Sequence, residues 1–314
     1  MLLPILSLLA GFILLMWSAD TFTDNGAKIA RIFNISPLII GLLIFGFGTS
    51  APEMLVSGLA AYDGHPEMSI GNAFGSNILN IGLVLGVTAI ILPITVEKSV
   101  LKKEWLFLFL STLIVGFLLL DGFLSFTDGL ILISLLTLFL INVFRESKKN
   151  NLTDSDNDSL ENNLQKNDKG RTWLLLIVSL IILVSSARLV VWGGTSLALS
   201  FGVSDLIIGL TVVALGTSLP ELAVSISSAL KKQHQMVIGN IIGSNLFNTL
   251  GVLAIPGLIL PFQIPTEVMS RDFFFMLMFT LLVLILSMRL KISRFGGFIL
   301  LTALAIYLYQ LFWI

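Results

Sequence analysis

Long runs of apolar residues, separated by short polar segments, dominate this chain. Crossing a hydrocarbon core of about 30 Å takes about 20 largely apolar residues, because the backbone must satisfy its hydrogen bonds within a helix. Ten stretches are of about this length, at residues 2–22, 35–60, 69–92, 105–120, 124–143, 173–199, 204–230, 236–260, 273–288 and 295–313. The pattern predicts an all-α polytopic membrane protein with ten transmembrane helices.

The two halves of the chain repeat one another at an offset of 168 residues. Residues 36–57 align without a gap with residues 204–225, and residues 68–80 align with residues 236–248. Each half holds five predicted helices, an odd number, so the second copy must cross the membrane in the opposite sense. We therefore predict a first five-helix repeat at residues 1–144, a flexible linker at 145–172 and a second, inverted repeat at 173–314.

Composition agrees with a membrane protein and excludes several functions. Of the 314 residues, 56% are hydrophobic and 12% charged, and the mean hydropathy of +0.98 is too high for a water-soluble domain. The net charge of −1 gives no reason to expect a nucleic-acid partner, so the expected surroundings are the lipid bilayer. The chain has no cysteine, which excludes disulfides and thiolate metal sites. No nucleophile–base pair or phosphate-binding loop is visible, so we do not expect an enzyme.

The basic residues predict the orientation. If the N-terminus lies outside, about 16 of the 18 lysines and arginines fall on the cytoplasmic side. We therefore expect both termini outside and the linker 145–172 in the cytoplasm, in the cell (inner) membrane. Arg188 lies inside the sixth apolar stretch, at the position that matches Asp20, and we expect its long side chain to reach the outer interface.

A duplicated motif, Gly-Thr-Ser-x-Pro-Glu, carries the candidate chemistry. It occupies residues 48–53 and 216–221 and contains Glu53 and Glu221, the only acidic residues deep in the apolar stretches. A carboxylate at that depth costs at least a few kcal/mol unless a cation, a partner or a proton neutralises it. On a helix, hydroxyls three and four residues before each glutamate lie on its face. These hydroxyls belong to Thr49, Ser50, Thr217 and Ser218.

Each motif also contains a proline, Pro52 or Pro220, which removes a backbone donor and crowds the preceding turn. We therefore predict that both helices break beside their glutamates. A break would free backbone carbonyls near Gly46 and Ala214 to act as oxygen ligands at membrane depth.

The third and eighth stretches repeat Gly-Asn-x-x-Gly-Ser-Asn-x-x-Asn. Polar residues four apart form one stripe on each helix: Asn72, Ser76 and Asn80 on the third, and Asn240, Ser244 and Asn248 on the eighth. Carboxylate, hydroxyl, amide and carbonyl oxygens suit sodium or calcium, whereas zinc and copper prefer thiolate or imidazole.

Some of these residues also have structural interpretations. The pairs Gly71–Gly75 and Gly239–Gly243 are typical of close helix packing. Hydrogen bonds between helices would explain four asparagines: Asn72, Asn77, Asn240 and Asn245. Packing does not explain two glutamates at matching membrane positions.

The motifs GTSAPE (48–53), GTSLPE (216–221), GNAFGSNILN (71–80) and GNIIGSNLFN (239–248) resemble those of the cation/calcium exchanger superfamily, most closely its prokaryotic sodium/calcium exchangers. The resemblance implies antiport of several sodium ions for one calcium ion by alternating access, with the ions as cargo and no cofactor. It implies that the long first and sixth helices form a gating pair. The ion-binding residues that it implies are Glu53, Glu221, Thr49, Ser50, Thr217, Ser218, Ser76, Ser244, Asn80 and Asn248, with the carbonyls of Gly46 and Ala214.

One departure from the family pattern bears on the coupling ion. Some relatives carry an aspartate at the position of Asn80 or Asn248, and in the second position it is associated with potassium co-transport. Both are asparagine here, so we expect no potassium dependence and only two formal charges at the site. Calcium/proton exchange remains the alternative, because buried carboxylates also carry protons. A channel with a glutamate selectivity ring is a third possibility.

Overall fold

The computed structural model describes residues 2–153, 169–202 and 214–313. These residues form helices that we number α1 Leu2–Ile32, α2 Pro37–Tyr62, α3 Pro66–Ile91, α4 Lys98–Asp121, α5 Phe126–Thr153, α6 Lys169–Ser200, α7 Ala214–Thr217 with Leu219–Leu230, α8 His234–Ile259, α9 Val268–Ser287 and α10 Arg294–Trp313. In the described part of the chain, nine are long and apolar enough to cross a membrane, and Leu219–Leu230 is a shorter apolar helix. The predicted start of α7, at residue 204, lies outside the described residues.

Among the described residues, α1 and α6 form the longest helices, with 31 and 32 residues. A helix of 31 residues rises about 46 Å, more than the bilayer core, so α1 must tilt or project from it. The observed end of α1, at Ile32, lies ten residues beyond the predicted end at residue 22. The prediction ended where polar residues begin, because it was based on apolar length. A helix can continue through polar residues once it has left the lipid.

The two long helices pack against each other in opposite directions. A Cβ atom added to Gly11 of α1 would lie 2.7 Å from Val190 Cγ2 of α6, and one added to Gly193 would lie 3.0 Å from Leu8 Cγ. Contacts that move forward along α1 thus move backward along α6. This antiparallel contact is the arrangement that an inverted repeat requires.

Two short strand pairs join the repeats. β1 (Ile94–Thr95) pairs with β4 (Lys291–Ile292), and β2 (Phe123–Leu124) pairs with β3 (Phe262–Gln263), both antiparallel. The 168-residue offset turns the first pair into the second, register included, because Ile94 opposite Ile292 becomes Phe262 opposite Leu124. The structure therefore carries the pseudo-two-fold relation that the sequence repeat predicts.

The helices also reach into the predicted linker. α5 continues to Thr153 and α6 begins at Lys169, so residues 145–153 and 169–172 are helical. Residues 154–168, the remainder of the linker, lie outside the described residues. The proposed boundaries of the repeats stay a prediction.

Helices α2 and α8 touch backbone to backbone. A Cβ atom on Gly41 would lie 2.9 Å from Gly239 Cα, and one on Gly46 would lie 2.8 Å from Gly243 Cα. The predicted packing role of Gly239 and Gly243 is confirmed, since small residues let membrane helices approach this closely. Gly71 and Gly75, their counterparts in α3, meet no described atom within 4 Å of the added Cβ.

This contact generates a stability prediction. A Cβ at Gly243 would lie 2.9 Å from Leu42 Cα and 3.0 Å from its carbonyl carbon. Backbone atoms, unlike a side chain, cannot relieve this clash by changing rotamer. We expect Gly243→Ala to lower the free energy of unfolding by about 1–3 kcal/mol. Gly58→Ala is the matched control, because its Cβ would make only an ordinary contact, 3.6 Å from Ile255 Cγ2. The thermal unfolding midpoints of the two variants in detergent make the comparison. Equal midpoints would contradict a close contact between α2 and α8 at Gly243.

Candidate ion-binding site

The two glutamate motifs adopt different backbones. In α7 the helix is interrupted at Ser218, between Ala214–Thr217 and Leu219–Leu230, as the proline pattern predicts. In α2 the helix runs unbroken from Gly46 to Tyr62 with Pro52 inside it, so the prediction of a break beside Glu53 is wrong. The irregularity lies earlier, in a wide π-helical turn at Ile40–Phe45 that ends where Gly46 begins. Such turns absorb an extra residue without ending the helix.

The two glutamates face a common interior. Glu53 and Glu221 are each only 1% exposed, and their carboxyl groups are close enough for their charges to repel each other. The structure thus brings together two acidic groups that lie 168 residues apart in sequence. A buried pair of like charges requires a counter-charge or a proton.

One asparagine holds each glutamate helix in place. The amide nitrogen of Asn72 donates to the Glu53 backbone carbonyl at 3.2 Å and to Ser57 Oγ at 3.0 Å. Asn240 repeats this pattern, donating to the Glu221 carbonyl at 3.3 Å and to Ser225 Oγ at 3.0 Å. The predicted bridging role of both asparagines is confirmed. Their donors go to the backbone and to serines, which leaves the carboxylates free to face a cation.

The other bridging asparagines behave differently from each other. Asn77 donates to Thr249 Oγ1 at 2.8 Å and to Met276 Sδ at 3.3 Å, so it does join helices. Asn245, its repeat counterpart, has no hydrogen-bond partner for its amide among the described residues.

Thr49 and Ser244 meet across the α2–α8 contact. Their hydroxyl oxygens are 3.2 Å apart, and Thr49 also donates to the Phe45 carbonyl at 2.9 Å. Ser244 donates to the Gly46 carbonyl at 3.5 Å. Three of the predicted ligands, the Thr49 and Ser244 hydroxyls and the Gly46 carbonyl, therefore lie beside one another.

The remaining predicted ligands are buried on the same four helices. Ser50, Ser218, Ser76, Asn80 and Asn248 are each at most 4% exposed. Thr217 is partly buried, and Ala214 is the first residue of α7 that the structure describes. No described contact joins Ser76 or Asn80 directly to a glutamate, so their membership of the site stays a prediction.

The donor set fits a hard cation. Several of the buried oxygen atoms without a hydrogen-bond partner among the described residues lie on these four helices, including those of Ser50, Glu53, Asn80, Ser218, Glu221 and Asn248. An unsatisfied buried polar atom is costly, and a bound cation would satisfy these oxygen atoms. Carboxylate, hydroxyl and amide oxygens are the ligands that sodium and calcium prefer. The described residues hold no group of three or more His, Cys, Asp or Glu side chains that would suit a transition metal.

Ser57 and Ser225 were absent from the predicted site. They accept the asparagine hydrogen bonds that position the two glutamate helices. A sequence signal was available, because both occupy matching positions at the end of the aligned segments 36–57 and 204–225. A serine four residues after a glutamate does not by itself indicate a role in the site.

Comparison with known proteins identifies the same duplication. The sequence model of the family described as "Sodium/calcium exchanger protein" matches residues 3–145 and again residues 171–313. The putative antiporter CaxA of Alkalimonas amylolytica is 41% identical over 319 residues, covering 99% of each chain. The sodium/calcium exchanger MaX1 of Methanosarcina acetivorans is 28% identical over 355 residues, covering 98% of each.

A solved structure agrees over the whole chain. The sodium-calcium exchanger NCX_Mj, soaked without sodium or calcium, superposes with a TM-score of 0.85 at 36% identity, covering 99% of each chain. That protein has ten transmembrane helices in two repeats, and the present chain has the same fold, with the second five-helix repeat inverted.

The asparagine bridges generate a prediction about ion binding. Asn240→Ala removes two hydrogen bonds that fix the backbone of Glu221, each worth about 1 kcal/mol. We expect calcium affinity to fall roughly five- to thirtyfold, read as a smaller calcium-dependent rise of the thermal midpoint in sodium-free detergent. The control is Thr280→Ala on α9, a buried side chain whose described hydrogen bond, to the Met276 carbonyl, stays within its own helix. Equal losses in both variants would rule out a specific role for the Asn240 bridge.

Proposed function

This chain belongs to the sodium/calcium exchanger protein family, and from that premise we propose that it exchanges sodium for calcium across the membrane by alternating access. It is an integral membrane cation antiporter. The identity of its two ions is the proposal. The observation that carries it is the buried pair Glu53 and Glu221, on helices that also hold buried oxygen atoms without a partner among the described residues.

Two carboxylates balance one calcium ion. Sodium ions entering the same cage would share these charges, and more than two would leave a net positive charge for hydroxyl and amide dipoles to accept. We propose that calcium and sodium use overlapping ligands: Glu53, Glu221, Thr49, Ser50, Thr217, Ser218, Ser76, Ser244, Asn80 and Asn248, with the carbonyls of Gly46 and Ala214. Overlap makes the ions compete for one site, which antiport requires.

The same charges explain why transport is coupled. An ion-free site would carry two bare, mutually repelling carboxylates through the occluded state, where no water screens them. A loaded site is close to neutral. The protein therefore changes sides with calcium or with sodium bound, and the empty form stays on one side.

We propose that both termini lie outside and that the linker 145–172 is cytoplasmic, in the cell (inner) membrane. The distribution of the basic residues supports this orientation. Inverted helices α1 and α6 would then serve as the gating pair that opens the site to either side.

Calcium/proton exchange is the second candidate. It is favoured by the same feature, because a carboxylate buried among like charges readily takes a proton. Calcium uptake driven by a pH gradient in sodium-free medium would support it.

The first test is a flux measurement. Sodium-loaded proteoliposomes should accumulate calcium when placed in sodium-free medium, and Glu53→Gln or Glu221→Gln should reduce uptake to that of protein-free vesicles, since each removes half of the site's charge. Glu67→Gln, in the exposed first turn of α3, is the matched control and should transport normally. Uptake that persists in either buried variant would remove that glutamate from the mechanism.

Potassium provides a second test. Because Asn80 and Asn248 supply no third carboxylate, potassium added with sodium inside the vesicles should not change the rate of calcium uptake. Choline is the control cation. If potassium raises the rate of calcium uptake and choline does not, the two asparagines do not prevent potassium from taking part in transport.

A further inference from the structure

A single lysine ties the gating helix α1 to the end of α7. Lys231 Nζ lies 2.7 Å from Asp20 Oδ1 and 2.7 Å from Asp24 Oδ1, and it donates to the Asp20 carbonyl at 2.8 Å. Beneath it, the buried hydroxyls of Thr23 and Ser227 are 2.8 Å apart. We call Asp20, Asp24 and Lys231 the inner latch, because the basic-residue distribution puts this end of both helices on the cytoplasmic side.

Local backbone geometry confirms which residues are counterparts in the other repeat. Lys231 ends α7 with φ −82° and ψ 5°, and the next residue, Lys232, is left-handed with φ 59°. Asp63 ends α2 with φ −77° and ψ 0°, and Gly64 after it has φ 87°. Asp63 is therefore the structural equivalent of Lys231.

The same comparison holds for the gating helices. α1 is followed by left-handed Asn34 (φ 51°), and α6 by left-handed Gly202 (φ 77°), again 168 residues apart. Each helix is unbroken back to Asp20 and Arg188, which lie at the same distance from these two residues. Arg188 is therefore the equivalent of Asp20.

The pseudo-two-fold relation turns the contact between Asp20 and Lys231 into a contact between Arg188 and Asp63. The charges are exchanged, but they remain opposite. In this structure Arg188 and Asp63 are both exposed, and no ion pair of the described residues joins them. One pair is made, and its counterpart on the opposite face is not.

We propose that these two pairs are alternating latches: Lys231 with Asp20 and Asp24 holds α1 closed on the cytoplasmic side, and Arg188 with Asp63 holds α6 closed on the outer side in the opposite state. The four principal residues are positioning residues, which act on the ions through the gating helices. The proposal rests on the alternating-access function and orientation proposed above. Closing one side then breaks one ion pair and makes another of the same kind. The free energies of the two pairs largely cancel, so neither state is strongly favoured over the other.

Thiol cross-linking tests whether the outer pair meets, and the chain has no cysteine of its own to interfere. We expect the full-length double variant Asp63→Cys/Arg188→Cys to be bridged by a short bifunctional methanethiosulfonate in proteoliposomes. The control is Asp63→Cys/Ile181→Cys, because Ile181 is exposed on the same face of α6 about two turns from Arg188. A yield for the first variant no higher than that of the control overturns the proposal.

Charge removal tests whether the latches oppose each other. Spin labels at exposed Lys28 and Lys232 report the separation of α1 from the end of α7. Lys231→Met should raise the separated population about fivefold, the upper range for an exposed ion pair, and Arg188→Met should lower it by a similar factor. Lys231→Arg keeps the charge and should restore the distribution of the parent protein.

These readouts separate the latches from the proposed function. Calcium-dependent thermal shifts should be unchanged in Lys231→Met and Arg188→Met, because the glutamates are intact. Shifts of the two populations in the same direction, or no shift in either, would overturn the proposal. A protein that fails to exchange sodium for calcium, yet shows the opposed shifts, would overturn the proposed ions and leave the latches standing.

Discussion

Two carboxylates buried among apolar helices set the conditions that the rest of this structure must meet. Each ionised glutamate costs several kcal/mol to desolvate, and the proximity of Glu53 to Glu221 adds their repulsion. The protein does not neutralise them with a buried lysine or arginine in the part of the chain that the structure describes. The amide donors of Asn72 and Asn240 bind the backbone and serines. In the function we propose, a cation takes up this negative charge, and ion binding would then contribute to the stability of the protein.

Oxygen ligands can surround that charge only if the helices approach closely and lose some regularity. The glycine contact between α2 and α8 removes the side chains that would separate them, and it places Thr49, Ser244 and the Gly46 carbonyl side by side. Wide π-helical turns at Asn80–Leu85 and Phe247–Val252 contain the two asparagines that end the polar stripes. A regular helix would aim those side chains along one continuous line. The extra residue in each turn rotates the side chains of the next helical turn, and such turns are common at functional sites in helices.

Much of this arrangement was readable from the sequence, because membrane insertion and an internal repeat both leave strong patterns. Apolar length predicted the helices, and the offset predicted an inversion that the antiparallel contact of α1 with α6 confirms. Asn72, Asn77 and Asn240 bridge helices as predicted, whereas Asn245 has no described partner. The features that could not be predicted depend on tertiary contact. Pro52 is tolerated inside α2, and the π-helical turns have no residue signature. Lys231 meets Asp20 because α1 packs against the end of α7, which the sequence does not show.

The two copies of the glutamate motif show how a symmetric sequence can serve an asymmetric cycle. GTSAPE in α2 forms continuous helix, whereas GTSLPE in α7 is interrupted at Ser218, although the two differ at a single position. One residue that is apolar in both copies gives little reason for different backbones. The difference must come from the surroundings of each copy, and these include ion pairs that join α1 to the end of α7, with no counterpart among the described residues between α6 and α2. If each motif can adopt either backbone at a cost of a few kcal/mol, exchanging the two conformations exchanges the open side. The repeat then supplies both ends of the transport cycle within one chain.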